Sequence, residues 1–350
     1  MRGTCWAHRQ QSKRRMLMVN QAETLKDLVE AAQAHAPIRV AVVAADQGLV
    51  LETVREAASL GLIEPRLIGD PDGILACAKD AHVEIDRAAI VNAKSDAEAA
   101  RAGVDLVRTG DADAVMKGNI HTDAFMRALL DKDRGLRVPG QRVSHVFMVD
   151  IPTYPKLLAI TDAAINITPD LTAKAQILQN AIEVLGLLGV ETPKAAILSA
   201  VETVNPAITS TLDAACLTLM AKRGQIAGAI VDGPMAFDNA ISADAAREKG
   251  IISGVAGDVD ILLVPDLVSG NILAKNLEYL AGATAAGIVL GLSVPAVLSS
   301  RADPPAARLA ALALTVLMHQ PRAQRRETTE PESAIHCAPQ PEDACCPIGA

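Results

Sequence analysis

Arg39-Val40-Ala41-Val42-Val43, the run from Leu49 to Ser59, and Arg66-Leu67-Ile68-Gly69-Asp70 decide the fold class. The first is short, β-branched and bounded by Ala44-Ala45-Asp46, which marks a strand. Asp46 then stands where it would cap the helix from Leu49 to Ser59. The third run is again a strand ending in a turn. Strand, helix and strand in so short a span form a βαβ unit, and repeated units of this kind build a parallel sheet with helices on its faces.

The same alternation extends in both directions. Upstream, Gln21 to Ala36 carries Leu25, Leu28, Val29 and Ala32 on one helical face, and Pro37 ends it. Downstream come the strand Ala89-Ile90-Val91, the helix Ala97 to Arg108, the strand Ala112 to Met116 and the helix Asp123 to Leu130. Further strands are expected at Val146 to Val149, Leu157 to Thr161, Ala195 to Ser199, Ala229 to Asp232 and Ile261 to Val264. A helix capped by Asp170 runs to Leu188, and a last one from Pro304 to Met318. Ala281 to Ser300 is uncharged, but its glycines and Pro295 split it into two buried strands, Ala286 to Leu290 and Ala296 to Leu298, rather than a membrane span.

At 350 residues the chain exceeds a usual single core, which predicts two lobes and a cleft between them. Half of the residues are apolar, yet there are only one Trp, two Tyr and three Phe, so the core must be packed from Ala, Val, Ile and Leu. A net charge of -8 argues against a general nucleic-acid binder, while a few local arginines suffice for a small anion. The six cysteines show no metal-ligand spacing, which suits a reducing cytoplasm without structural disulfides or zinc. Residues 1–20 read as a disordered or spurious extension without a signal core, and 320–350 as a disordered tail.

Polar residues gather where strands end. Val231-Asp232-Gly233-Pro234-Met235-Ala236-Phe237-Asp238-Asn239-Ala240 and Val255 to Asn271, with Pro265-Asp266 inside it, are strands emptying into loops of Gly, Pro, Asp and Asn. Such loops line the ligand crevice of open α/β sheets, although plain turn chemistry explains the same residues. Lys117-Gly118 lies at another strand end, before a helix whose first-turn amides suit an anion. The charged connection Asp131 to Arg142 is either a solvated linker or a phosphate-contacting loop. No glycine-rich nucleotide motif, phosphate-binding P-loop or nucleophile elbow is present, and His121 and His145 lack spaced metal partners. Ser300-Arg301 sets a hydroxyl beside a planar guanidinium fork, which suits an oxyanion or phosphate, and Asp303 is either the arginine's structural partner or a base.

A set of ordered motifs between Gln21 and Met318 resembles the phosphate acetyltransferase and phosphate butyryltransferase family. They are Val115 to Thr122, Arg142 to Val146, Thr161 to Ile167, Ser199 to Pro206, the two loop segments around Asp232 and Asp266, and Ser300-Arg301-Ala302-Asp303. The resemblance implies two αβα lobes with mostly parallel sheets, like those of isocitrate and isopropylmalate dehydrogenases. Lobe I would be 21–143 plus 293–319 and lobe II 144–292, with the active site between them. It implies that acyl-CoA and phosphate give acyl phosphate and coenzyme A, with coenzyme A a substrate and no tightly bound cofactor or metal. It further implies a cytoplasmic homodimer without nucleic-acid or membrane partners.

By position, the family's transition-state pair falls on Ser300 and Arg301. The acetyltransferase branch carries an aspartate seven residues after the serine, where this chain has Ala307, so Asp303 is the candidate base. Lys117, Gly118, Arg127, Arg142, Asp232, Asp266 and Asn271 are the candidate substrate-binding residues. Two other readings stand beside this one: a non-catalytic coenzyme A or acyl-phosphate sensor, and a metal- and NAD-dependent dehydrogenase on the same fold.

Overall fold

Alternate residues of the central strands enter different cores: Val40 and Val42 pack on one side of the sheet, Ala41 and Val43 on the other. Strands buried on both faces must read as continuous apolar runs, and Ile38-Arg39-Val40-Ala41-Val42-Val43 does so after its first two residues. A computed structural model, which describes residues 22–299 and 303–328, shows the resulting architecture.

The first half contains α1 (Leu25–Ala32), β1 (Ile38–Val43), α2 (Gly48–Ser59), β2 (Ile63–Gly69), α3 (Pro71–Asp80), β3 (Ile90–Asn92), α4 (Asp96–Thr109), β4 (Ala114–Lys117) and α5 (Thr122–Leu129). It continues with β5 (Ser144–Asp150), β6 (Leu158–Thr161), α6 (Leu171–Leu187), β7 (Lys194–Leu198), α7 (Thr209–Lys222), β8 (Ile230–Met235), α8 (Phe237–Ile241) and α9 (Ala243–Glu248). The last elements are β9 (Ile261–Leu263), α10 (Leu267–Leu280), β10 (Thr284–Leu290), β11 (Ala296–Val297) and α11 (Pro305–Thr328).

The eleven strands among the described residues form one sheet in the order β3-β2-β1-β4-β11-β10-β5-β6-β9-β7-β8. It is a mostly parallel α/β fold. The antiparallel pairs are β11–β10, β10–β5 and β5–β6, and all other neighbours are parallel. Consequently β1 to β4 and β11 run one way, while β6 to β9 run the other. The last strands return beside β4, and α11 packs on α1, α2 and β10.

Helix starts follow local chemistry. Thr24 and Asp27 form a capping box on α1, Ser95 caps α4, and Asp170 caps α6 through the Ala173 amide. Asp46 differs from expectation, because α2 is preceded by Gln47, whose side chain makes no capping hydrogen bond. The helix α3 escaped the periodic pattern, although Asp70 caps it and Pro71 opens it. The last helix continues to Thr328, beyond Met318 and into the stretch expected to be structureless, and its Ala- and Leu-rich face up to Met318 packs against the core. The expectations for 1–20 and for 329–350 fall outside the described residues. Among the described residues no helix is long and apolar enough to cross a membrane.

Candidate active site

One row of paired residues crosses the sheet: Val42, Met116, Val297, Ile288, Val146, Thr161 and Leu263. β1, β4 and β11 arrive at this row from one end and stop just past it, while β6 and β9 arrive from the other and also stop. Only β5 and β10 pass through. The carboxyl ends of two opposed parallel blocks therefore meet over a single strand pair, the kind of switch point at which α/β sheets bind ligands.

A cleft of about 430 Å³ lies there. Lys117, His121 and Thr122 border it from the β4–α5 turn, Ser299 and Asp303 from the end of β11 onward. Opposite, α10 presents Leu267, Asn271 and Lys275, whose four-residue spacing puts them on one helical stripe. Ile120, Phe147, Ala163, Ala164 and Leu298 supply the apolar surface.

Lys117 is a buried cation of this site, only 4% exposed. Its Nζ donates to the carbonyls of Gly118 at 3.4 Å and Ser299 at 3.5 Å, and Ser299 Oγ donates back to the Lys117 carbonyl at 3.4 Å. The ends of β4 and β11 are thus tied together one residue before Ser300. Gly118 holds the same turn from the other side: its amide donates to the Val43 carbonyl at 2.8 Å, and a Cβ there would stand 2.2 Å from the Ala44 oxygen.

Asp162 anchors the loop that forms the facing wall. Its carboxylate accepts from the amides of Ala164 (3.0 Å), Ile165 (3.0 Å) and Asn166 (3.3 Å) and from Asn166 Nδ2 (2.6 Å). Burial pushes its pKa up, and these donors oppose that shift. The Asp303 carboxylate lies near the buried Arg308 of α11; burial draws that guanidinium down and Asp303 opposes it. Ala307, where the acetyltransferase branch carries its aspartate, is buried on α11 with 2% exposure.

His145 lies in β5 beneath the cleft. It is fully buried, neither ring nitrogen meets a hydrogen-bond partner, and burial lowers its pKa from 6.5 to about 3. The folded value lies below the unfolded one, so His145 leaves stability intact above pH 6.5 and erodes it as pH falls toward 3. The expected slope is about 1.4 kcal/mol per pH unit. Thermal melts between pH 7 and 4.5 should therefore show an acid-side loss that His145→Leu flattens. Parallel curves for the two proteins would contradict this.

The candidate residues are not all brought together. Lys117, Asn271 and Asp303 line the cleft, and Gly118 supports it. Asp266 caps α10 through the Ser269 amide at 2.8 Å, so it aims the helix that carries Asn271. Arg142 lines a neighbouring cavity of about 530 Å³. Its Nε donates to Gln176 Oε1 at 3.3 Å and its Nη1 to Asn166 Oδ1 at 3.5 Å, which puts it behind the Asp162 loop. Arg127 is exposed on α5, 3.7 Å from Asp123, and does not border the cleft. Asp232 lies on β8, the outermost strand of its half, and accepts from its neighbour Gly233 at 2.9 Å. Ser300 and Arg301 lie outside the described residues. Phe147 and Lys275 are cleft residues with no strand-end polar signal to single them out, since one sits in mid-strand and the other in mid-helix.

The family model for phosphate acetyl/butaryl transferase matches residues 96–316. The chain is 49% identical over 280 residues to the phosphate acetyltransferase of Rickettsia felis, covering 79% of this chain and 80% of that one. It is 42% identical over 280 residues to the phosphate butyryltransferase of Clostridium acetobutylicum, covering 80% and 93% respectively. Among solved structures, a branched-chain phosphotransacylase from Enterococcus faecalis superimposes with a TM-score of 0.70 at 31% identity, over 81% of this chain and 99% of that one. The chain belongs to the phosphate acetyl/butyryltransferase family and is an acyltransferase.

Proposed function

We propose that this acyltransferase moves a short acyl group directly between coenzyme A and phosphate, within the cleft at the meeting of the two strand blocks. In one direction a phosphate oxygen attacks the thioester carbonyl, the C–S bond breaks, and acyl phosphate and coenzyme A leave. In the other, the coenzyme A thiol loses its proton to Asp303 and the sulfur attacks the acyl-phosphate carbonyl, expelling phosphate. A thiol with a pKa near ~8.5 needs only modest help from such a base.

Ser300 and Arg301 are proposed to donate to the oxygen that gains charge in the tetrahedral state. Lys117 holds the strand end that presents them and supplies positive potential for the phosphate. Asn271 and Lys275 line the same cleft as Lys117, Ser299 and Asp303, from α10. Arg142, Asp266 and Gly118 act as positioning residues, and Arg127 and Asp232 have no part in the chemistry. The observation that carries the reading is the convergence of Lys117, Ser299 and Asp303 with the α10 stripe on one cleft. We further infer that the enzyme works in the cytoplasm as a homodimer, without a tightly bound cofactor or metal.

Acetyl-, propionyl- and butyryl-CoA, with free thiol followed in the presence and absence of phosphate, test the reaction. Release is expected only with phosphate. Arg301→Lys should lower it about tenfold or more although the charge stays, because the two-pronged donor is lost. Asp303→Asn is expected to reduce turnover in the acyl phosphate to acyl-CoA direction. Phosphate-independent release would refute the proposed transfer, and unimpaired Asp303→Asn would remove that residue as the base. A sensor would show no turnover at all.

A further inference from the structure

Resting on the reaction proposed above, we infer that Phe147 is the floor of an acyl-chain pocket that favours aliphatic chains longer than acetyl. Its depth is set from behind by His145 packed over Gly287. The cleft lining is of two chemical kinds. Lys117, Ser299 and Asp303 supply polar groups suited to phosphate and the reacting carbonyl, while Phe147, Ala163, Ala164 and Leu298 supply apolar side-chain surface suited to an aliphatic chain. A substrate with one charged end and one aliphatic end matches that lining.

The apolar floor is built so that it cannot retreat. Phe147 pairs across the strands with Gly287 on one side and Ile160 on the other. His145, two residues earlier in β5, points to the same face, and its ring meets Phe147 edge-on with centroids 4.3 Å apart and planes at 67°. The room for the imidazole comes from Gly287, where a Cβ would lie 2.7 Å from Nε2 and 2.9 Å from Cε1 of His145. A fully buried imidazole with no hydrogen bond is a costly filler, yet it occupies the volume into which Phe147 would otherwise tilt.

The facing wall is made of the smallest side chains. Ala163 is held there by α10: a Cβ on Gly270 would be 3.0 Å from the Ala163 Cβ, and Asn271 Nδ2 donates to the Ala163 carbonyl at 3.4 Å. Rigid floor and small walls leave a slot whose length, rather than polarity, discriminates between acyl groups. One methylene in such a slot is worth roughly 10- to 200-fold in kcat/KM.

The test reads ratios within each variant, so a general loss of activity cancels. The wild-type enzyme should use butyryl-CoA with higher kcat/KM than acetyl-CoA. Phe147→Ala should raise the hexanoyl-to-acetyl ratio at least tenfold, and Ala164→Val should lower the butyryl-to-acetyl ratio by a similar factor. Gly287→Ala, which touches no substrate, should shift the ratio in the same direction as Ala164→Val, through KM for the longer chain more than through kcat. Where turnover falls too low, calorimetric affinities for the same acyl-CoAs give the ratio.

A wild-type preference for acetyl-CoA overturns the pocket. So do ratios within twofold of wild type in both Phe147→Ala and Ala164→Val. Absence of phosphate-dependent turnover with every acyl-CoA overturns the reaction itself, and is distinguished by the wild-type assay alone.

Discussion

Lys117→Met is expected to lower kcat/KM for phosphate-dependent acyl transfer by ~10²- to 10³-fold, the range seen when one preorganised donor is removed from a charge-developing site. Methionine keeps the length and apolar volume of the side chain, so packing changes little. Two functions are lost together. Lys117 is only 4% exposed at the cleft wall, in surroundings where its charge acts on a phosphate with little screening. It also ties the Ser299 carbonyl to β4, and Ser299 precedes the proposed Ser300-Arg301 pair. Steady-state kinetics with phosphate varied should show loss in both KM for phosphate and kcat, with the thermal midpoint close to wild type. Activity within threefold of wild type would remove Lys117 from the site.

Gly118→Ala should be as damaging, for a reason that lies in the backbone. The added Cβ would stand 2.2 Å from the Ala44 oxygen, 2.6 Å from the Val43 oxygen and 2.9 Å from the Ala44 carbonyl carbon. These are main-chain atoms at the end of β1, and no side-chain rotation relieves them. The ends of β1 and β4 must part, which breaks the hydrogen bonds from Gly118 and Asn119 to Val43 and Ala44, at 2.8 and 2.7 Å. A destabilisation of about 3 kcal/mol is expected. A loss of turnover should accompany it, because Lys117 moves with the strand end. Gly186→Ala is the matched control. It lies in α6 with nothing within 4 Å of the new Cβ, so it should be neutral or stabilising by about 0.5–1 kcal/mol. Equal melting behaviour of the two variants would refute the close-approach argument.

Much of this molecule was legible in the order of its residues. Apolar runs such as Val40 to Val43 and Ile261 to Leu263 have to be buried on both faces, and that requires a largely parallel sheet flanked by helices. Asp170 announces its helix through the Ala173 amide it caps. The ordered motifs from Lys117-Gly118 to Ser300-Arg301 likewise point to one enzyme family, which the relatives bear out.

What local sequence does not carry is which strand ends meet. Asp232 and Lys117 read alike, as polar residues closing apolar strands, yet β8 is the outer strand of one half while β4 abuts β11 near the centre. Arg142 and Arg127 read alike as basic residues near the first lobe's end. One folds behind the Asp162 loop and the other pairs with Asp123 on the surface. Phe147 and Lys275 became cleft residues only through pairings over a hundred positions apart in the chain, Phe147 with Gly287 and Ala163 with Asn271 among them.

The sequence by itself determined the alternation, the Asp170 cap and the family, because these rest on residues within a turn or a strand of one another. Only the tertiary structure decided the membership of the cleft. That depends on strand order and register, and on a row of pairings that brings the ends of two opposed blocks to one place.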